Sequence, residues 1–342
     1  MIQWTTRWMA RLLVLVALAV TGLWFVGSRG ASTGFATWFE DRRADGWVAG
    51  YDDLTIKGFP YRVDATFDNI TLADPDTGVA WQAPFFQLFA LTYKPHHLIA
   101  TWPNDQTLAV PSEKLTVQTE TMQASLVVEP GSDLTVERVN LDIDTLALTS
   151  SLDWQLTASG IDLALLRQPA PDNSDTPSAT YRLALRAQDL APPAAFLVPT
   201  DVDLPRSFEV FQADLEATFS RPWDLTAIED SRPQPTALDL KRADIVWGDL
   251  KFNAAGAVRI DNLGYPTGKI TIRLVNWRDM IAVARANENF APAVLDTLEQ
   301  ALTFVAGLSG NSAQIDIPLS FKGGATRFGP IPIGPAPRLV LR

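Results

Sequence analysis

The feature that most limits what this chain can become is a two-residue alternation that starts at Tyr61 and returns almost to the C-terminus. Tyr61, Val63, Ala65 and Phe67 are apolar, while Arg62, Asp64, Thr66 and Asp68 between them are polar. Successive side chains of a strand point to opposite faces, so this pattern predicts a half-buried strand. At Asn69 the parity flips and Ile70 and Leu72 continue the apolar set, which calls for a bulge or bend. Gly58 suits the turn before this strand, and Pro60 suits a strand start where no ladder donor is needed.

The same pattern recurs at Met122, Ala124, Leu126 and Val128, and at Val139, Leu141 and Ile143 before a flip to Leu146 and Leu148. It returns at Leu152, Trp154 and Leu156, at Tyr181 to Ala187, at Phe211 to Phe219, at Ile270 to Leu274, and at Ile315 to Phe321. Amphipathic strands separated by small or polar turns predict a mainly β, largely antiparallel protein built of meanders. Two stretches echo each other, "LDIDTLALTSSLDWQLTASG" from Leu141 and "LDLKRADIVWGDLKFNAAG" from Leu238, and each reads as a hairpin.

Helical segments are few. Leu12 to Gly27 is a sixteen-residue run without charge, preceded by Arg7 and Arg11. At 1.5 Å per residue it reaches about 24 Å, and adding Trp8 to Ala10 brings it near the roughly 30 Å hydrocarbon core. It reads as a signal anchor; a cleaved secretory signal is the alternative, but "SRGASTGFA" makes a poor small-x-small cleavage site. Basic residues before the span put the N-terminus in the cytoplasm and the bulk of the chain across the membrane. A short helix from about Phe35 to Asp45, closed by Gly46, is expected beside the membrane. Trp277 to Ala286 and a segment opening at Pro292 and closing at Gly307, with Val294, Leu295, Leu298, Leu302 and Val305 at helical spacing, predict a helical hairpin on the sheet. The expected organisation is an anchor over residues 1–30, a juxtamembrane helix and linker over 31–55, and a β-rich domain over 56–342. The Pro-, Ser- and Asp-rich "RQPAPDNSDTPSATY" marks a subdivision near 168–180.

Composition excludes several functions. A net charge of -11 disfavours binding to phosphate backbones, so no nucleic-acid partner is expected. With no cysteine there is no disulfide, thiolate metal site or thiol nucleophile. The only histidines, His96 and His97, are neighbours that a strand would point to opposite faces, so no shared metal is expected. The chain has no G-x-S-x-G, P-loop or H-E-x-x-H motif, so no catalytic residues and no cofactor are assigned. Paired carboxylates such as Asp142 and Asp144, or those of "YDDL" and "IEDS", with eleven tryptophans scattered along the strands, leave a glycan-active enzyme as a remote alternative.

The segment "GYDDLTIKGFPYRVDATFDNITLADPDTG", with "IVWGDLKFNAAGAVRIDNLGYPTGKITIRLVNWRDMI" and "IDIPLSFKGGATRFGPIPIGPAPRL", resembles an uncharacterised bacterial family catalogued as domain of unknown function number 2125. That likeness carries no catalytic residues with it. More distantly, an N-terminal anchor followed by strands resembles the AsmA-like and TamB-like envelope proteins. That resemblance implies an elongated, curved sheet or V-shaped groove with an apolar inner face, an inner-membrane anchor, a periplasmic bulk, and a role in moving or organising phospholipid.

An independent argument also leads to lipid. A helical hairpin of some thirty residues covers only part of a sheet this large, so the sheet either closes on itself or offers an apolar face to a ligand. Acyl chains gain about 0.8 kcal/mol per buried methylene and need no polar motif. The expectation is therefore a non-enzymatic, lipid-binding or lipid-transferring protein. Its groove candidates are Tyr61, Val63, Phe67, Leu126, Leu141, Trp154, Leu215 and Ile272. An envelope scaffold with a closed core that binds a protein partner is the alternative.

Overall fold

The computed structural model describes residues 2–169, 178–194, 204–229, 231–286, 292–309, 313–329 and 331–341. It is mainly β and divides into two compact units, Met1–Val128 and Glu129–Arg342. The boundary between the two units falls at Val128. Residues 170–177 lie outside the described set, and the strands that flank them are hydrogen-bonded neighbours within the second unit.

The first unit begins with α1 (Ile2–Ala44), followed by β1 (Val48–Gly50), β2 (Asp53–Lys57), β3 (Arg62–Asp74), β4 (Val79–Leu91), β5 (Lys94–Thr101), β6 (Asp105–Val110) and β7 (Glu113–Val128). The expected anchor and the expected juxtamembrane helix are one continuous helix: no proline intervenes between Gly27 and Phe35, and the glycines there cost the helix only about 1 kcal/mol each. All strand pairs are antiparallel. β1 and β2 both pair with β3, and the short β5 and β6 lie end to end between the long β4 and β7.

The flip expected at Asn69 is present. Asn69 has φ of 50°, and both Phe67 and Ile70 on either side of it are buried. Asparagine tolerates this left-handed geometry better than most residues. Thr145, with φ of 48°, does the same between buried Ile143 and Leu146. Around Phe67 the first unit has a filled aromatic core. Phe35 and Phe39 of α1 come to 5.1 and 5.7 Å from its ring, and Tyr51 and Phe86 to 5.3 and 6.4 Å.

The second unit is an antiparallel meander. Its strands are β8 (Val136–Ser150), β9 (Gln155–Arg167), β10 (Ala179–Gln188), β11 (Val210–Phe219), β12 (Pro235–Trp247), β13 (Leu250–Ile260), β14 (Pro266–Val275), β15 (Gln314–Lys322), β16 (Ala325–Phe328) and β17 (Ile331–Pro335). Each pairs with the next in sequence. The two echoing stretches are the β8–β9 and β12–β13 hairpins. A single turn, α2 (Thr226–Glu229), precedes β12, and α3 (Trp277–Ala286) and α4 (Pro292–Ser309) lie between β14 and β15.

Both C-terminal helices fall where the spacing put them, though residues 287–291 between them are outside the described set. Trp277 and Ile281 of α3, Leu302 and Ala306 of α4, and Ile315 of β15 form one core cluster. The buried stripe of α4 is therefore Leu295, Leu302 and Ala306, while Val294 and Leu298 of the expected stripe are exposed and Gly307 lies inside the helix rather than at its end. Leu295 and Leu302 of the expected stripe are thus buried, and Ala306 joins Leu302 in the cluster around Trp277.

Candidate functional site

Register partners in an antiparallel sheet share a face, so rows of side chains can be followed from strand to strand. In the second unit one row runs Leu141, Leu163, Leu185, Ala213, Ala243, Ala254, Ile272, Ile317, crossing β8 to β15. Every member is apolar. The neighbouring row runs Val139, Leu165, Leu183, Leu215, Leu240, Gly256, Ile270, Leu319, again apolar throughout. A bulge in β12, where pairing passes from Leu240–Gly256 to Ala243–Ala254, keeps the two rows aligned across it.

Exposure differs between these middle rows and the rows that flank them. All of the Val139–Leu319 row is half-buried, as is the Leu141–Ile317 row except for buried Ala254. The flanking row Ile143, Ile161, Ala187, Phe211, Ile245, Phe252, Leu274, Ile315 is buried at Ile143, Ala187 and Ile315 and half-buried at its other five members. On the other side Tyr181, Ala217, Val258 and Phe321 are buried, the last two packing with Ala336. The α3–α4 cluster packs on Leu274, Ile315 and Ile317, the last a member of the strip, and Ile270 and Leu319 pack on the Val258–Phe321–Ala336 cluster, so protein already lies against the strip's β14–β15 end. The result is a strip two residues wide and eight strands long. At about 4.8 Å per strand and 3.4 Å per residue it measures roughly 34 Å by 7 Å.

The opposite face is polar in the same register. Asp142, Asp162, Arg186, Gln212, Asp244, Asn253, Arg273 and Asp316 form a polar row behind one edge of the strip, while the row behind its middle mixes Asn140, Asp214, Arg242 and Thr271 with alanines and Pro318. Arg273 grips Asp316 with two N–H donors at 2.7 and 2.9 Å, and Arg182 holds Asp214 likewise at 2.9 and 2.5 Å. These guanidinium hydrogen bonds keep both carboxyls below the usual carboxylate range. Asp142 and Asp144 are exposed, so neither has the desolvated setting that acid–base catalysis on a glycan needs. Asp52 and Asp53 are exposed as well, and Asp230 lies outside the described residues.

Three of the predicted groove residues, Leu141, Leu215 and Ile272, fall on the strip. Trp154 is half-buried in the turn between β8 and β9, off both rows. The other four are in the first unit. Val63 and Leu126 are joined there by a row through Ala90 and Leu98, and Val63 lies against α1 at Gly27. Phe67, 2% exposed, is sealed in the aromatic core, and Tyr61 is 64% exposed at a hairpin tip. Sequence reasoning missed Leu163, Leu183 and Leu185. Their own alternation was visible, but which strand sits beside which is not encoded in the period.

Among the described residues no group of three or more His, Asp or Glu is placed to hold an ion. His97 bonds Ser125 across the β5–β7 pair at 2.9 Å. A family model described as "Uncharacterized protein conserved in bacteria (DUF2125)" matches residues 24–337. No curated protein and no solved structure matches the chain.

Proposed function

This chain belongs to the bacterial DUF2125 family, and from that premise we propose that it is a non-enzymatic, membrane-anchored protein whose second unit binds lipid along its apolar strip. The observation that carries the reading is the half-buried double row from Leu141 to Ile317 and from Val139 to Leu319. A continuous apolar strip backed by a salt-bridged polar face suits a chain-like apolar ligand better than a compact polar substrate. Each methylene laid on it gains about 0.8 kcal/mol. We read the sheet as curving around this strip to form a trough, with α3 and α4 as a hairpin over one side of it.

Localisation follows from α1, which is long and apolar enough to cross a bilayer and whose apolar residues from Trp8 to Val26 are largely exposed. The basic residues before it favour an inner-membrane, single-pass arrangement with the bulk in the periplasm. Phospholipid from that membrane is the natural ligand, in keeping with the distant likeness to AsmA-like and TamB-like proteins. The lipid reading is confined to the second unit, since α1 already occupies the apolar face of the first.

The test is photocrosslinking in membranes with a benzophenone side chain placed at Leu215 or at Arg186. Leu215 is on the strip and Arg186 on the opposite face. Lipid adducts at Leu215 and none at Arg186 are the expected result. Equal labelling at both, or none at either, rejects the proposal.

A second reading, an envelope scaffold that binds a protein partner, draws on α4. Its Val294 and Phe304 are 63% and 62% exposed. Protein adducts from a probe at Phe304, together with no lipid at Leu215, would favour it.

A further inference from the structure

The Gly58–Tyr61 turn joins β2 to β3, and it sits beside α1 at the point where the helix's apolar span ends. Trp24 donates its indole N–H to the carbonyl of Arg62 at 2.6 Å, and its ring meets Phe59 edge-on at 5.3 Å. Gly58 has φ of 99°, and a Cβ there would come within 2.8 Å of the Arg62 carbonyl oxygen, so only glycine closes the turn this tightly. The β4–β5 turn lies next to it: the backbone N–H of Thr92 donates to Tyr61 O at 2.9 Å. Three aromatic rings project from this double tip, with Phe59 54%, Tyr61 64% and Tyr93 66% exposed. Lys57, Arg62 and Lys94 surround them, all exposed.

From this arrangement we infer that the double tip of Phe59, Tyr61 and Tyr93 is a second membrane contact, seated in the headgroup layer of the bilayer that α1 crosses. The inference rests on the reading of α1 as a transmembrane anchor. From Trp8 to Val26 the helix rises about 27 Å, close to the roughly 30 Å of a hydrocarbon core. Trp24 therefore lies at the level where tryptophan and tyrosine collect in membrane proteins, and the tip it touches lies at the same level.

Charge points the same way. In a chain of net charge -11 the tip carries Lys57, Arg62 and Lys94, and among the described residues the ion pair there is Arg62 with Asp64 at 2.7 Å. The far turn of the same β3–β4 hairpin carries Asp74 and Asp76 instead. Thirteen residues of β3 separate the two ends, about 43 Å at 3.3 Å per residue. α1 runs alongside β3 in the same direction, touching Val63 at Gly27 and Phe67 at Phe35. The basic, aromatic end is thus membrane-proximal and the acidic end distal, which matches an anionic lipid surface. Next to the tip, Phe89, Leu91 and Ile99 line an apolar hollow of about 360 Å³ under Arg62, extending the surface that lipid can meet.

The absence of cysteine allows single-site labelling of the full chain. Phe59→Cys, Tyr61→Cys, Tyr93→Cys, Asp76→Cys and Leu15→Cys proteins, each carrying an environment-sensitive fluorophore, would be reconstituted in phosphatidylcholine vesicles with one third phosphatidylglycerol. The expected result is a blue-shifted emission quenched by headgroup-level quencher lipids at 59, 61 and 93, quenching by deep quenchers at 15, and an aqueous signal at 76. Aqueous signals at 59, 61 and 93 with Leu15 buried overturn the tip contact alone. An aqueous signal at Leu15 overturns the anchor and the tip contact together.

Discussion

Leu141 of β8 and Ile272 of β14 are members of one uninterrupted row of apolar register partners, although more than half of the second unit's sequence lies between them. Between them the row crosses the five strands β9 to β13, and a polar row on the opposite face ends in the Arg273–Asp316 pair. Replacing Ile272 with aspartate should leave the second unit folded, because the side chain is half-buried and has room to reach solvent, while lipid crosslinking at Leu215 falls sharply. Phe67→Asp should behave differently. At 2% exposure among four aromatic rings, a carboxylate there has no partner and the first unit should unfold. Circular dichroism melts of the two variants separate these outcomes.

Trp277 is fully buried between α3, α4 and β15, with Arg278 stacked over it at 4.3 Å. Trp277→Ala should cost about 3–5 kcal/mol, since the emptied volume is bounded by sheet on one side and cannot collapse freely. Phe304→Ala on the exposed side of α4 should stay within about 0.5 kcal/mol of the parent. Denaturant titration of each variant measures the difference.

Two glycines allow β13 and β14 to approach. Gly256 has φ of 147° and a Cβ on it would come within 2.3 Å of the Lys269 carbonyl oxygen; Gly268, with φ of 152°, has the same relation to the Ala257 carbonyl. Gly256→Ala and Gly268→Ala should each destabilise by more than about 1 kcal/mol. Gly131→Ala, where a Cβ meets nothing within 4 Å, should have little effect. The Gly256 variant should also lose lipid capture, since the strip passes through that position.

Acid should weaken the second unit through its polar face. Arg182 and Arg273 hold Asp214 and Asp316 below the ordinary carboxylate range. A carboxyl depressed on folding stabilises the folded state above its unfolded value, near 4, and that contribution fades as pH falls through the folded value. Unfolding midpoints should therefore hold level from pH 7 to about 5 and decline below about 4. Asp214→Asn should flatten the acid side of the curve, and the effect should be larger than for Asp316→Asn, because Asp214 is the less exposed of the two at 14% against 47%.

By itself the sequence determined the period and its interruptions. The strands around Phe67, Leu141 and Ile272, the flip at Asn69, the hairpins from Leu141 and Leu238, and the helices at 277 and 292 are local consequences of side-chain alternation, turn chemistry and helical spacing. Only the tertiary structure decided which apolar faces are already occupied. α1 continues past its long apolar segment and lays Phe35 and Phe39 on Phe67, so Phe67 is sealed among protein rings, whereas Leu141, Leu215 and Ile272 remain half-buried on a shared strip. Alternation says that a residue points toward one face of a sheet. What packs on that face depends on strand order and on helices distant in sequence, and a two-residue period carries no record of either.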